Sequence, residues 1–198
     1  MIKERTLVLI KPDGVQRSLV GEIIKRYERT GLKLIAIKFL VPTAEMTEKH
    51  YLINDGWIES VGKKTKEAYE KKGEKYPFDD VVEGGRWVLE KLKKFLSSGP
   101  VVVMVWEGNE AVGIVRKITG GTEPLSSDVG TIRGDFTLDS YSLADGDSRA
   151  VRNLVHASGS MEDSEKEIKI WFGEKELINY RLVQEQILYD VNLDGILE

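Results

Sequence analysis

The chain has no cysteine and only two histidines, His50 and His156, in 198 residues. The first absence removes disulfide scaffolds, thiol catalysis and cysteine-ligated zinc together. The second leaves too few imidazoles for a histidine-rich metal centre. Long apolar runs are also missing: the longest, residues 101–106 and 7–10, fall far short of the ~18 residues that a membrane-spanning helix needs. No membrane partner is expected. The N-terminal Met-Ile-Lys-Glu-Arg passes into a strand-like run without a charged-then-apolar leader, and a reduced, cytoplasmic protein is the expectation. Nor is there an excess of positive charge, since 29 Lys+Arg face 33 Asp+Glu for a formal net charge of −4. A protein that lives by non-specific contacts to phosphate backbones is ordinarily basic, so nucleic acid is disfavoured as a partner. Internal repeats, low-complexity tracts and a Gly-x-Ser-x-Gly nucleophile elbow are absent as well.

What is present is a globular composition, 41% hydrophobic and 31% charged, in a length suited to one domain with appendages. Residues 6–10 read as a strand that stops at Lys11-Pro12-Asp13-Gly14, where the proline and glycine suit a type I turn. A helix is expected over residues 18–30, with Ser18 as cap, Val20, Ile23, Ile24 and Tyr27 on its apolar face, and Gly31 as terminator. Residues 32–41 alternate as a second strand, and Pro42-Thr43 opens a helix through Tyr51. Residues 101–106 are the natural central strand. They precede a helix over 109–119 that buries Val112, Val115 and Ile118, and then a glycine-containing loop over 121–135. Residues 153–158 read as a fourth strand, and Ser160 and Ser164, each followed three residues later by an acid, propose starts for a last helix carrying Ile168 and Trp171. The order predicts an α+β fold with helices packed on about four strands, a wound parallel sheet being the competing layout.

Two motif-like stretches carry no chemistry. Gly62-Lys63-Lys64-Thr65 lacks the glycine spacing and preceding strand of a phosphate loop, and residues 62–75, with six lysines against three glutamates, read as a solvated helix or surface excursion. Asp190-Val-Asn192-Leu-Asp194-Gly195 matches only the opening of a calcium loop and reads instead as a frayed acidic end. The informative stretch is Asn153-Leu-Val-His156-Ala-Ser158, followed by Glu162, Glu165 and Glu167. A neutral imidazole is a competent nucleophile near pH 7. It needs its second ring nitrogen held by an acceptor, and a carboxylate does this while stabilising the cation formed on reaction. On these residues alone, a nucleophile and a satisfied structural histidine both remain open.

The company that His156 keeps narrows the choice. Glu4-Arg-Thr-Leu, Ile10-Lys-Pro-Asp-Gly-Val-Gln-Arg17, Val20-Gly-Glu-Ile-Ile-Lys-Arg26, His50-Tyr51, Ser98-Gly-Pro-Val-Val102, Met104-Val-Trp-Glu-Gly108, Gly130-Thr-Ile-Arg-Gly-Asp-Phe136 and the His156 stretch together resemble nucleoside diphosphate kinases, in that family's order and over nearly the whole chain. The resemblance implies a ferredoxin-like fold with a four-stranded antiparallel sheet. It also implies a ping-pong exchange in which a nucleoside triphosphate gives its γ-phosphoryl to a histidine and a nucleoside diphosphate collects it, with broad base specificity. By position it implies His156 as nucleophile, Glu167 as the group orienting it and Ser158 bonded nearby. Lys11, Tyr51, Arg116, Thr122 and Arg133 fall at phosphate-contacting positions, and Asn153 at the one reaching the ribose. Mg²⁺ bridging the phosphates and a homo-oligomer, a hexamer or a tetramer built from dimers, are implied too. Phosphoryl transfer needs cations converging on a group whose charge is spread over its oxygens, and Lys11, Arg116 and Arg133 come from separate elements that only the fold can converge. Arg116, one residue past buried Val115, is expected at a pocket rim, Arg133 in a loop, and His50 in a structural role.

Three departures stand out. Gly159 occupies the place where the family usually has an aspartate, leaving Asp163 or another acid as a substitute. The connection between Tyr51 and Ser98 is much longer than usual, an insertion of about residues 55–90, and Trp57, Phe78 and Trp87 compete there for the base-stacking role, Trp87 being nearest in register. An acidic insertion of about residues 138–150 precedes the His156 strand. Both insertions are expected beside the nucleotide cleft within a single domain.

Overall fold

A computed structural model describes residues 3–189. Its sheet has the order β2-β3-β1-β4, and every neighbouring pair is antiparallel, which excludes the wound parallel layout. The strands are β1 (Glu4–Ile10), β2 (Lys33–Leu40), β3 (Val101–Gly108) and β4 (Val155–Ala157). Between β1 and β2 lie α1 (Pro12–Gln16) and α2 (Val20–Glu28). Next come α3 (Ala44–Tyr51), α4 (Trp57–Lys72) and α5 (Val81–Leu96), then, beyond β3, α6 (Ala111–Thr119), α7 (Ile132–Phe136) and α8 (Tyr141–Gly146). After β4 the chain forms α9 (Met161–Trp171), a 3₁₀ turn (Glu174–Glu176) and α10 (Glu185–Tyr189).

The central position of β1 explains its unbroken apolar run. Side chains alternate across a strand, and both faces of β1 are covered. Val8 and Ile10 enter a core built with Ile23 and Tyr27 of α2 and Ala111 and Val115 of α6. Leu7 and Leu9 enter a second core with Leu96 of α5 and Ile168 and Trp171 of α9. β2 forms one edge of the sheet, and Ile35 bulges out of its pairing with β3. At that bulge the Ile35 carbonyl accepts a hydrogen bond from the Ile178 amide at 2.8 Å, and the Tyr180 hydroxyl donates to the Leu34 carbonyl.

Local chemistry differs from expectation at three points. Lys11-Pro12-Asp13-Gly14 opens the five-residue helix α1 rather than an isolated turn, with proline in the first helical turn, where its missing N–H costs nothing. Ser18 does not cap α2: it lies at φ 58°, and Leu19 takes the capping position without a side-chain bond. Residues 121–135 are not all loop. Thr131 caps α7 by accepting from the Gly134 amide, and that places Arg133 on a helix.

The lysine-rich segment is the helix α4, and α5 folds back along it as an antiparallel hairpin. Glycine is required at their seam. A Cβ on Gly62 would stand 1.7 Å from the Val81 carbonyl oxygen, and one on Gly85 would stand 2.0 Å from that of Ile58. The two backbones therefore touch directly, a contact no other residue allows. The acidic 190–198 stretch lies outside the described residues.

Candidate active site

β4 is only three residues long, but it fixes the imidazole. It pairs with β1 so that Leu9 stands opposite His156. Val155 points into the α2–α6 core and, by alternation, His156 points to the α9 side. The segment entering β4 is sharply bent. Leu154 sits at φ 66°, and the Val155 amide reaches back to the Asn153 carbonyl at 2.7 Å, a tight three-residue turn of the strained hand. The bend is held from α1 and the end of β1: the Lys11 amide donates to the Leu154 carbonyl at 2.8 Å, and the Asp13 carboxylate accepts from the Leu154 amide at 3.0 Å.

α9 supplies the acceptor for the ring. Ser160 caps the helix by accepting from the Asp163 amide, and about two turns later Glu167 lies 3% exposed. Its Oε1 lies 2.9 Å from His156 Nε2, and its Oε2 accepts from the Ser158 hydroxyl at 2.6 Å. The Ser158 hydroxyl in turn accepts from the Leu7 amide, which ties the pair to β1. Burial alone would raise the pKa of Glu167. His156, His50 and the Ser158 hydroxyl outweigh it and hold the carboxyl below its ordinary value, so it is ionised. An ionised acceptor at Nε2 fixes the proton there and leaves the Nδ1 lone pair free. Among the described residues nothing bonds Nδ1.

The cations converge as a second layer. Lys11, 7% exposed, donates from Nζ to Asn153 Oδ1 at 2.7 Å, and Asn153 Nδ2 donates to the Thr122 carbonyl at 2.8 Å. Arg133, 8% exposed, donates from Nε to the Asn153 carbonyl, from Nη1 to the Gly120 and Gly121 carbonyls at 3.0 Å each, and from Nη2 to the Val155 carbonyl. That engages four of its five N–H groups. Far from being a surface cation, it clamps the two loops that frame the site. Arg116 is exposed in the last turn of α6, at the rim as expected. Burial, with Arg133 adding repulsion, brings the Lys11 pKa down to about 8. Burial, with Arg116 contributing, brings that of Arg133 down to about 10. One carboxylate, Asp13, acts on both buried cations, and the excess of positive charge that remains suits an anion.

Tyr51 ends α3 beside the imidazoles, its ring 5.1 Å from that of His50, and burial followed by Glu167 pushes its phenol pKa upward. Trp57 is the one of the three candidate stacking rings that meets a site side chain, lying 5.8 Å from Tyr51. Trp87 is engaged within the hairpin, with the Lys91 ammonium 3.2 Å from its ring centroid and Phe78 tilted against it at 5.2 Å. Gly159 has a local reason: a Cβ there would stand 2.8 Å from Asp163 Oδ2, so the Asp163 carboxylate fills that side-chain space while its Oδ1 accepts from Asn54 at 2.6 Å. The two insertions meet, because Lys72 at the end of α4 pairs with Asp145 of α8 at 2.7 Å. Among the described residues, one group has metal-ligand spacing, His50, His156 and Glu167. Its chemistry is wrong for a resident ion. The Trp171 indole N–H donates to His50 Nδ1, which leaves a protonated Nε2, and the other two are bonded to each other.

Sequence reasoning missed Asp13 and gave His50 only a structural role. A histidine adjoining a site tyrosine and an acid two residues after a site lysine were the only signals, and neither reports burial.

The family model for nucleoside diphosphate kinase matches residues 4–177. The nucleoside diphosphate kinase of Pyrobaculum aerophilum is 48% identical over 179 residues, covering 88% of this chain and 98% of its own. A crystal structure of an NDP kinase from that organism superimposes with a TM-score of 0.86 at 45% identity, over 90% of this chain and all of the other. A nucleoside-diphosphate kinase from Borrelia burgdorferi, a transition-state mimic with bound vanadate and ADP, superimposes with a TM-score of 0.77 at 35% identity, over 94% and 97% of the two chains. With the ferredoxin-like order of strands and an imidazole held by a buried carboxylate, the conclusion is direct: this chain belongs to the nucleoside diphosphate kinase family, phosphotransferases acting on nucleoside di- and triphosphates.

Proposed function

We propose that His156 carries the phosphoryl group between two nucleotides. The free Nδ1 beside an ionised Glu167 carries this reading. The Nδ1 lone pair attacks the γ-phosphorus of a nucleoside triphosphate. A phosphorus–nitrogen bond forms, and the bond to the β,γ-bridging oxygen breaks with its electron pair leaving on the nucleoside diphosphate. The Nε2 proton stays against Glu167, whose charge stabilises the cationic ring. Lys11, Arg116 and Arg133 meet the negative charge that spreads over the transferring oxygens, and Tyr51 and Thr122 complete the phosphate cradle. Asn153 positions Lys11 and reaches the sugar. Reversal with a second nucleoside diphosphate completes the exchange. The site carboxylates are engaged, Glu167 by His156 and Ser158 and Asp13 by the Leu154 amide, so Mg²⁺ would enter as part of the nucleotide substrate and need few protein ligands.

The test is labelling with γ-labelled ATP and Mg²⁺. A base-stable, acid-labile phosphoprotein that hands its label to GDP is the expected result. Unlabelled protein, or label that GDP cannot remove, would overturn the reading.

We also infer a homo-oligomer built through β2. Ile37, Phe39 and Val41 share one side of this edge strand and are exposed, Phe39 at 69%. An unpaired edge with an apolar row is a template for a second strand. Phe39→Asp is expected to lower the mass measured by light scattering to that of smaller species. An unchanged mass would exclude β2 as the contact.

A further inference from the structure

His50 is 2% exposed, yet it is polar and keeps one ring nitrogen, Nε2, without a partner among the described residues. An orphaned buried donor costs about 1–3 kcal/mol, so its retention calls for a use. Its ring meets that of His156 nearly at right angles, 83°, with centroids 4.4 Å apart. Its own orientation is fixed by the Trp171 indole, which donates to Nδ1 at 3.3 Å and packs edge-on at 5.7 Å. Trp171 and Glu167 stand one turn apart on the same face of α9.

Glu167 alone holds His156 by a single point, Nε2. A ring held at one point can still move. A flip about its bond to Cβ puts a carbon where phosphorus must arrive and stops transfer. A swing about Cα–Cβ that breaks the Glu167 contact and frees the Nε2 proton turns Nε2 toward the phosphorus instead. Either motion has to sweep the ring through the space around it, and the His50 ring, with its centroid 4.4 Å from that of His156, occupies part of that space. We propose that His50 is a positioning residue for His156: α9 grips the imidazole twice, directly through Glu167 and, through Trp171 and His50, against the ring itself, so that only Nδ1 is presented to the nucleotide. Burial first, then the neighbouring His156, lowers the His50 pKa to about 3. His50 is therefore neutral at working pH and adds no charge beside a ring that becomes cationic.

This inference rests on His156 as the phosphoryl carrier, so wild-type protein is labelled in parallel. If wild type takes no label, that reading fails; if it does, the variants judge His50 alone. The full chain carrying His50→Ala is compared with His50→Phe. The readouts are the single-turnover rate of phosphorylation by Mg·ATP, ADP affinity by calorimetry, and the phosphohistidine isomer by phosphorus NMR of the base-stable product. Wild type is expected to give one isomer. His50→Ala is expected to lose about tenfold or more in phosphorylation rate with ADP affinity within twofold, and to show the second isomer, with phosphorus on Nε2. His50→Phe, which refills the space beside the ring, restores the single isomer. A wild-type rate and one isomer in His50→Ala overturn the proposal, as does a loss confined to ADP affinity. If His50→Ala does not fold, Trp171→Phe, which removes the N–H holding His50, carries the same expectation of a second isomer. A single isomer at wild-type rate there overturns it equally.

Discussion

His156→Ala is expected to take no label from γ-labelled ATP and to lose nucleotide exchange by about 10⁴-fold or more, while ADP still binds. Removal of a covalent nucleophile abolishes the two-step route, and positioning plus charge stabilisation are left to catalyse at best a slow direct transfer. Binding is expected to survive because the cations proposed to meet the phosphates, Lys11, Arg116 and Arg133, lie outside β4. Glu167→Gln provides the contrast. The amide fits the same space between His156 and Ser158 but has no charge to offset the cationic ring. It is expected to label slowly, with exchange down about 10²-fold, in the range for loss of an orienting acid or base. Label surviving in His156→Ala would locate the carrier elsewhere. Wild-type exchange in Glu167→Gln would show that geometry alone suffices and that the buried carboxylate charge does nothing.

Lys11→Met is expected to separate stability from activity in opposite directions. The Lys11 pKa in the folded protein is about 8, against 10.5 for the free side chain. The charged form is thus disfavoured by folding, and keeping it charged at pH 7 costs the fold about 3 kcal/mol. The substitution lifts that cost but leaves Asn153 Oδ1 without its donor, worth about 1–2 kcal/mol. A net gain of about 1–2 kcal/mol at pH 7 follows, read as a higher denaturant midpoint. The sign with pH is fixed. Wild type recovers stability as pH rises from 8 towards 10.5, where Lys11 is neutral in both folded and unfolded states, so the advantage of the variant shrinks over that window. Activity moves the other way: loss of a buried phosphate-facing cation is expected to lower exchange by about 10²- to 10³-fold. For wild type, nucleotide affinity falls as pH climbs through 8 and Lys11 discharges. A Lys11→Met protein less stable than wild type at pH 7, or exchanging within tenfold of it, would sink the assignment of Lys11 as a strained anion site.

How much of this was legible in the chain depends on where each element gets its instructions. β1 and β3 are buried on both faces and read as plain apolar runs, and α2 and α6 show their buried stripes at helical spacing. The hairpin was harder to see. Gly84 and Gly85 interrupt the apolar pattern of α5, the first because Tyr76 packs against it and the second because Ile58 of α4 touches its backbone, tertiary requirements that local pattern cannot display. At the site, His156, Glu167 and Ser158 were legible through motif order, since β4, a turn and the α9 cap are contiguous and bring them together. Arg133 was expected in a loop and is a buried clamp, because its partners are carbonyls of Gly120, Gly121, Asn153 and Val155, which have no side-chain signature. Trp87 was nearest in register for base stacking, yet the extra helix α4 redirects it into the hairpin, where Lys91 and Phe78 engage it. His50 was expected to be structural, and its contact with His156 comes from tertiary packing that the sequence does not display.

The bulge at Ile35 has a consequence for growth of the sheet beyond one molecule. Part of the exposed margin of β2 is already consumed by the chain's own Ile178 amide and Tyr180 hydroxyl, and the opposite margin, β4, offers only three residues. An incoming strand can zip only alongside the stretch past the bulge, in one alignment, and the composite it makes presents no comparable margin for the next arrival. Association proposed by this route is self-terminating, which lets the protein keep an apolar seam without seeding fibres.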